Sequence, residues 1–378
     1  MCSMTIITDI LPRIHSQHKI IGYLPNLDNC YYQTMRIAVV YNQRPENLGR
    51  NDPDLEKHIE GDEWKTIKAI GDAIAANHHT VSYLQVDGDL YNNLKKHKDN
   101  IDLIFNLSEG ISGVADREAH LPMLAELLSI PHTGPGPLTA ALILNKYHAK
   151  KIWRASGVRT AESFLVTAPT DALTLPKNLT YPLLVKPNSD GSGIGIHETS
   201  IVKSLNELKN AVSHIISHYH QPALVESYLP GREFTVAIVG NTPNLTVLPI
   251  IEINFAGLPK GAPAIDSYKA KFVYGATGLV PMHETEFCPA SLTPKLKKEI
   301  EDLSIAAYSA IGCLDFGRLD IRLDAQGVPH VLEINHPPGL MSDPNESSFF
   351  TISARTYGWD FPTLIGRILD AAITRLKL

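Results

Sequence analysis

The apolar positions of the chain fall into short continuous runs that alternate with longer stretches of helical period. Arg36-Ile37-Ala38-Val39-Val40-Tyr41 is almost wholly apolar and ends in Asn42-Gln43-Arg44-Pro45, the pattern of a buried parallel strand opening into a loop. A helix is expected from about Leu55 to Asn77, a strand over Thr80 to Val86, a helix near Asp89 to Lys96 and a strand over Asp102 to Leu107. This β-α-β-α-β order predicts a doubly wound parallel sheet. Ligands of such sheets sit outside the carboxyl ends of the strands, which places Asn42 to Arg44 and Ser108-Glu109-Gly110 at the expected ligand edge.

Helical spacing returns from Arg117 to Leu128, and the breaker-rich stretch Ile130 to Pro137 marks a boundary. One helix is expected from about Leu138 through Lys146 to Ala155. Strands are expected over Ser163 to Val166, Leu183 to Pro187, Ala223 to Leu229, Arg232 to Ile238 and Val247 to Ile253. A long Gly- and Pro-containing loop, Asn254 to Tyr274, bears Lys269 and Lys271, and loops of that length usually cover something. A helix from about Thr293 to Ile311 leads to Phe316–Leu323, a turn at Asp324-Ala325-Gln326-Gly327, and Val328 to Ile334, which together read as a β-hairpin. Trp359 to Leu376 closes the chain as an amphipathic helix.

The hairpin carries the densest chemistry. Asp320 and Glu333 lie thirteen positions apart on its two strands, so they are expected side by side, with Asn335 beyond them. Two carboxylates and an amide oxygen are hard ligands of the kind Mg²⁺ takes when it also holds phosphates. Arg318, two residues from Asp320, faces the same side of its strand. A hairpin whose charged face is merely wet is the plainer reading, and the upstream motifs weaken it. Asn188 to Gly195 holds three glycines within five residues, beside Lys186 at a strand end. Such a loop lets backbone N–H groups approach phosphate oxygens, and the lysine supplies a point charge. The strand end at Tyr228-Leu229-Pro230-Gly231 offers backbone groups to a base edge, and Glu233 could accept from ribose hydroxyls. Taken alone, Glu226 and Glu233 read equally well as a solvated strand edge. His214 and His218 have i, i+4 spacing without a carboxylate to complete a metal set, so a surface helix is the better reading.

Composition narrows the setting. With 378 residues, two or three subdomains are expected. A net charge of -6 gives no reason to propose nucleic acid or an anionic membrane as partner. The four scattered cysteines point away from a disulfide framework, and the cytoplasm is the expected location. Asp9, Pro12 and Arg13 interrupt any signal-peptide core, and no apolar run is long enough for a membrane span.

Lys146, Lys186 with the Ser192-bearing glycine loop, Glu226 to Glu233, Lys271, Arg318, Asp320, Glu333 and Asn335 together resemble the ATP-grasp fold, and within it the D-alanine–D-alanine ligases. The resemblance covers about Met35 to the C-terminus. It implies an α/β architecture with a parallel N-terminal domain over 35–133, a central subdomain with a glycine-rich lid over 134–228, and a C-terminal subdomain over 229–378, preceded by an extension over 1–34. Two sheets then sandwich ATP. It implies that Lys146, Lys186, Gly191, Gly193 and Lys271 hold phosphates, that Glu226 and Leu229 meet the adenine, and that Glu233 holds the ribose. Asp320, Glu333 and Asn335 would bind two Mg²⁺ ions, with Mn²⁺ a substitute. Arg318, Ser192, Lys271 and Gly339 would serve catalysis, and a homodimer is implied.

The departures sit in the amino-acid half. The family's glycine-rich first loop with its ammonium-binding glutamate is replaced by Tyr41 to Glu46, and its histidine–glycine pair by Glu109-Gly110. Phe272 stands where the family has tyrosine, and His336-Pro337-Pro338-Gly339 follows the metal asparagine. Glu109, Phe272 and His336 are therefore the candidate substrate residues. The expected activity is ATP-dependent joining of a small carboxylate to an amine. The alternatives are a ligase for another amino acid, hydroxy acid or specialised metabolite, and a nucleotide-binding module that does not ligate.

Overall fold

In the computed structural model, residues 34–45, 61–111, 114–169, 174–256, 258, 264–265 and 286–378 are described here. The expected residues Glu46, Lys269, Lys271 and Phe272 lie outside them.

Strands β1 (Arg36–Tyr41), β2 (Thr80–Gln85) and β3 (Leu103–Leu107) form a parallel sheet in the order β2-β1-β3. Helices α1 (Trp64–Ala76) and α2 (Leu90–His97) make the crossovers, as the alternation predicted. β1 is central and buried on both faces, which explains its nearly unbroken apolar run. Helix α3 (His120–Leu128) follows. The single helix expected from Leu138 to Ala155 is instead two, α4 (Pro137–Leu144) and α5 (Lys146–Ala155). The break is Asn145, whose backbone leaves the helical region and whose side chain accepts from the His148 N–H as the cap of α5.

A four-stranded antiparallel sheet runs β4 (Ser163–Val166), β7 (Ala223–Ser227), β5 (Leu183–Pro187) and β6 (Ile201–Val202), backed by α6 (Leu205–Tyr219). β7 ends at Ser227, two residues short of the expected Leu229. The third sheet contains β8 (Glu233–Asn241), β9 (Asn244–Val247), β10 (Ile251–Ile253), β11 (Glu286–Phe287), β12 (Phe316–Leu323) and β13 (Pro329–Asn335). The strand expected over Val247 to Ile253 is thus split, and Pro249, which has no N–H to donate, lies in the gap. Helix α7 (Pro294–Ile311) packs on this sheet, starting at Thr293, whose side chain accepts from the Leu296 N–H.

Helix α8 (Phe349–Tyr357) was not expected. The closing helix α9 (Phe361–Leu376) begins two residues later than its apolar period suggested, because Asp360 caps it by accepting from the Thr363 N–H. Its apolar face joins β1, α1 and β8 in one core with Ile365, Ile368 and Leu369 fully buried. Burial of that face, at about 25 cal/mol per Å² of apolar surface, is the main force holding the parallel sheet to the C-terminal one.

Candidate active site

The hairpin places its carboxylates as its sequence spacing predicted. Asp320 on β12 pairs in register with Glu333 on β13, and Arg318 with Asn335. Just past this pair the register shifts, so that Ile321 faces Val331 and Leu332 is the extra residue. Thr235 on β8, the other neighbour of Asp320, donates its hydroxyl to Oδ1 at 2.7 Å. Arg318 donates through Nε and Nη2 to the two oxygens of Asp320, each at 3.1 Å, and Asn335 Nδ2 donates to Oδ2 at 3.0 Å. The guanidinium of Arg318 also lies 5.5 Å from the Phe349 ring centroid.

Three lysines converge from the opposite wall. Lys146, the first residue of α5, approaches Glu333 Oε2 at 3.5 Å, and Lys186 on β5 stands 3.9 Å from the same oxygen. Lys150, one turn beyond Lys146, had no expected role. It is fully buried and donates to Glu226 Oε2 at 2.9 Å and to the Thr160 hydroxyl at 2.9 Å. Lys186 holds the other oxygen of Glu226 at 3.0 Å. Burial works against the charge of every member. It drags Lys150 down to about 8, whereas Glu226 and Glu333 more than offset it at Lys186, which is raised. In Glu226 the two lysines likewise override burial and keep the carboxylate ionised. The Glu226 side chain is therefore an internal counter-ion, not the solvated strand edge that was its plainer reading.

Glu233 is also buried, and Arg322 on β12 donates to it at 2.5 Å. The Arg322 guanidinium lies between the rings of Tyr228 and Phe255, at 5.4 and 5.5 Å, and donates to the Ala264 carbonyl. Its signal in the sequence was the period of two: Arg318, Asp320 and Arg322 share one face of β12. Between the two antiparallel sheets these groups line a cleft of about 600 Å³, counting space open to solvent. Leu184, Ile196, Leu229, Ile265 and Leu332 give it apolar walls, and Lys186, Glu226, Asp320 and Glu333 a charged end. A flat heterocycle suits the first and phosphates the second.

The glycine loop borders this cleft. Ser192, Gly193 and Gly195 have φ of 52°, 75° and 70°, and the loop closes through Ile194 N–H to Gly191 O and Ile196 N–H to Gly193 O. A Cβ on Gly195 would lie 2.4 Å from Pro187 Cγ, so the loop packs directly on the end of β5. At its root Lys146 donates to the Asp190 carbonyl, and Arg117, reaching across from the first third of the chain, donates to the Ser189 carbonyl at 3.0 Å and lies 3.5 Å from Asp190.

The two described candidate substrate residues, Glu109 and His336, follow different strands, β3 and β13. The Glu109 N–H donates to Asn42 Oδ1 at 2.9 Å while Asn42 Nδ2 donates to the Gly110 carbonyl, so this edge of the parallel sheet is stitched together. His336 does not face the cleft: it is 3% exposed, its Nδ1 lies 2.9 Å from the Phe316 carbonyl, and its ring occupies the space a Cβ on Gly134 would need. Burial pushes it down to about 4, so it is a neutral packing residue. Gly339 is exposed, and its carbonyl accepts from the Ser348 hydroxyl at 2.7 Å. His214 and His218 stack on the exposed face of α6, 5.3 Å apart.

The donor set fits a hard divalent cation only with help. Among the described residues no cluster of three or more His, Cys, Asp or Glu is placed to hold a metal. Asp320, Glu333 and the Asn335 amide oxygen supply oxygen ligands alone, so phosphate oxygens and water would complete the shell, as they do around Mg²⁺.

Comparison with known proteins agrees with this geometry. A family model described as the D-ala D-ala ligase C-terminus matches residues 153–370. The chain is 33% identical over 292 residues to the D-alanine–D-alanine ligase of Haemophilus influenzae, covering 76% of this chain and 89% of that one. It is 35% identical over 273 residues to an uncharacterised protein of Sinorhizobium fredii, 72% and 75% of the two chains. In fold it resembles the Bacillus anthracis D-alanine–D-alanine ligase complexed with ATP, with a TM-score of 0.67, 22% identity and coverage of 91% and 99%. The VanG D-Ala:D-Ser ligase of Enterococcus faecalis gives 0.66, 21% identity and coverage of 90% and 100%. Two paired carboxylates, converging lysines and a glycine loop around one cleft thus belong to a known lineage: the chain is a member of the D-alanine–D-alanine ligase family of ATP-grasp enzymes.

Proposed function

We propose that the protein joins a small carboxylic acid to an amine at the expense of ATP. The carboxylate oxygen attacks the γ-phosphorus and ADP leaves; the amine then attacks the acyl carbon, and phosphate and a proton depart as the amide forms. The observation that carries this reading is the facing pair Asp320 and Glu333, flanked by Arg318 on one side and by Lys146 and Lys186 on the other. Such transfers are catalysed chiefly by positioning and charge neutralisation, which this arrangement supplies.

Lys146 and Lys186 hold phosphate oxygens, and Ser192 and the N–H groups of Gly191 and Gly193 close over them. Leu229 and the backbone of β7's end meet the base, while Glu233, oriented by Arg322, accepts from the ribose. Asp320, Glu333 and Asn335 would hold a divalent cation, which would supply charge neutralisation at the phosphates; two such ions are proposed, Mg²⁺ first and Mn²⁺ as a substitute. Arg318 steadies the oxyanion of the tetrahedral intermediate, with N–H groups near Gly339 in support. A module that only binds nucleotide has no use for that arginine. We assign 35–133 to substrate capture, 134–228 to the lid and 229–378 to catalysis, with small-molecule substrates and a homodimer as the working assembly.

The altered first loop and Glu109-Gly110 favour a substrate pair other than two D-alanines. The test is to incubate the protein with Mg²⁺, ATP and a matrix of amino acids, hydroxy acids and amines, following phosphate and identifying products by mass. One ADP and one phosphate per amide formed is expected. ATP left unconsumed by every pair would overturn the assignment.

A further inference from the structure

The glycine loop is moored differently at its two ends. Downstream it rests on its own subdomain: a Cβ on Gly195 would meet Pro187 and Tyr219, and His197 Nε2 lies 3.1 Å from the Tyr219 hydroxyl at the end of α6. Upstream, at Ser189-Asp190, three parts of the chain meet. Gln221, just before β7, accepts from the Ser189 N–H at 2.7 Å and donates to Asp190 Oδ2 at 2.5 Å. Lys146 of α5 donates to the Asp190 carbonyl. Arg117 brings in the parallel-sheet part of the chain, donating through Nη1 to the Ser189 carbonyl at 3.0 Å while Nη2 stands 3.5 Å from Asp190 Oδ1.

Arg117 is buried and opens the short turn Arg117–Ala119 that leads into α3. A Cβ on Gly110 would lie 1.9 Å from its carbonyl oxygen, so the chain leaving β3 presses directly on its main chain. The Ile111 N–H reaches the His120 ring at 3.3 Å, and Asn42 Nδ2 ties the Gly110 carbonyl to the end of β1. A guanidinium sheltered in this way makes stronger contacts than an exposed ion pair, because little water competes for either partner. Two consecutive residues, gripped by one rigid fork, fix both the place and the direction of the main chain entering the loop. The loop beyond needs that help: Ser192, Gly193 and Gly195 all have positive φ, and its glycines have little conformational preference of their own. The aim of its N–H groups is therefore set at the root. The Asp190 carbonyl also holds the head of Lys146, which stands 3.5 Å from Glu333 Oε2, so a displaced root moves a lysine of the cleft as well.

We propose that Arg117 is a positioning residue for ATP: from the parallel-sheet part of the chain it sets the root of the glycine loop and, through the Asp190 carbonyl, the head of Lys146. It acts through these groups and not on the nucleotide directly. This rests on the ligase reading above and goes beyond it, because nucleotide binding then depends on a side chain from the part of the molecule assigned to substrate capture.

The experiment titrates Mg²⁺ with the non-hydrolysable analogue AMP-PNP into the full chain by calorimetry. Wild type is compared with Arg117→Met, Arg117→Lys, Asp190→Asn and the double variant Arg117→Met with Asp190→Asn, and hydrogen exchange over 189–195 and melting temperature are recorded for each. Arg117→Met should weaken the analogue by about tenfold and speed exchange in the loop, as two charge-assisted contacts are lost. Arg117→Lys should recover part of the affinity, since it keeps the charge without the fork. The double variant should bind within about twofold of Arg117→Met, because both changes break one linkage. Should Arg117→Met fail to fold, Arg117→Lys carries the comparison, with a loss of about threefold expected. Affinity unchanged in the Arg117 variants, losses that add in the double variant, or a lower melting temperature with exchange over 189–195 unaltered would overturn the inference and leave the ligase reading standing. Wild type that does not bind the analogue would instead overturn the ligase reading, and this inference with it.

Discussion

Lys150 and Lys186 share Glu226, one oxygen each, at 2.9 and 3.0 Å, and all three side chains are sealed from solvent. Two cations on one buried anion leave a net positive charge facing the cleft. Lys150 carries most of the strain, since burial brings it down to about 8. Its role in this arrangement is to hold Glu226 from behind so that Lys186 is only half engaged and free to reach a phosphate.

Lys150→Met tests this. Glu226 keeps one lysine, so no carboxylate is left unpaired, and the penalty for breaking a buried pair is largely avoided. Unfolding free energy is expected within about 1 kcal/mol of wild type. The KM for ATP should rise about tenfold, because Lys186 is then held by both oxygens. In wild type, kcat/KM for ATP should fall as pH rises through about 8 and Lys150 deprotonates. The variant's profile should stay level there, and an unchanged fall would show that another group titrates.

The Glu333 side chain is 20% exposed, Lys146 and Lys186 stand 3.5 and 3.9 Å from its Oε2, and Gln keeps its size and one of its oxygens. Glu333→Gln should therefore melt within about 2 °C of wild type. Its turnover should fall by at least about a hundredfold, since the cation loses a hard, charged ligand beside the phosphates. Mg²⁺ titrations of both proteins check it; a variant with undiminished kcat would remove Glu333 from the metal site.

The hairpin could be read from the sequence because its information is local. Alternation of period two, a four-residue turn and a fixed spacing determine which side chains face one another, so the Asp320–Glu333 pair followed directly. The bulge at Leu332 left no such trace, and neither did the capture of Glu233 by Arg322, whose partners lie 89 residues apart. Lys150 was hidden because a lysine one turn after another reads as a solvated helix face, and only the tertiary position of Glu226 shows otherwise. His336 misled in the opposite sense: its place after Asn335 suggested the substrate, but the adjacent main chain turns its ring under Gly134. Asn145 broke a helix whose apolar period ran straight through it, since a cap is a local hydrogen bond that hydrophobicity does not record.

Asp315 and Arg375 form the staple between the parallel sheet and the C-terminal one. Asp315, fully buried, accepts from Arg375 at 2.7 and 2.9 Å, from Asn241 at 2.8 Å and from the Gly134 N–H at 2.8 Å. Arg375 also donates to the His132 carbonyl. Arg375→Ala should lose roughly 3 kcal/mol in urea unfolding, because it strands a buried carboxylate. Asp315→Asn with Arg375→Gln should lose less than the single change, as no charge is then left alone. Equal losses would mean that packing, not charge, accounts for the effect.

Asp62 makes stability depend on pH with a definite sign. Its folded-state value of about 6 lies above the ordinary 3.8, so the folded protein holds this proton more tightly than the unfolded chain does. Below pH 4 the group is neutral in both states and costs nothing. As pH climbs from 4 to 6 the unfolded chain releases the proton first, and stability falls through that window and stays lower above it. Asp62→Asn removes the ionisable group, so the variant should be more stable than wild type above pH 6, by at most roughly 3 kcal/mol for a shift of about two pH units. Urea unfolding at pH 4, 5, 6 and 8 reads this as a gap that opens between pH 4 and 6 and then stays constant. A gap independent of pH would mean that Asp62 titrates normally.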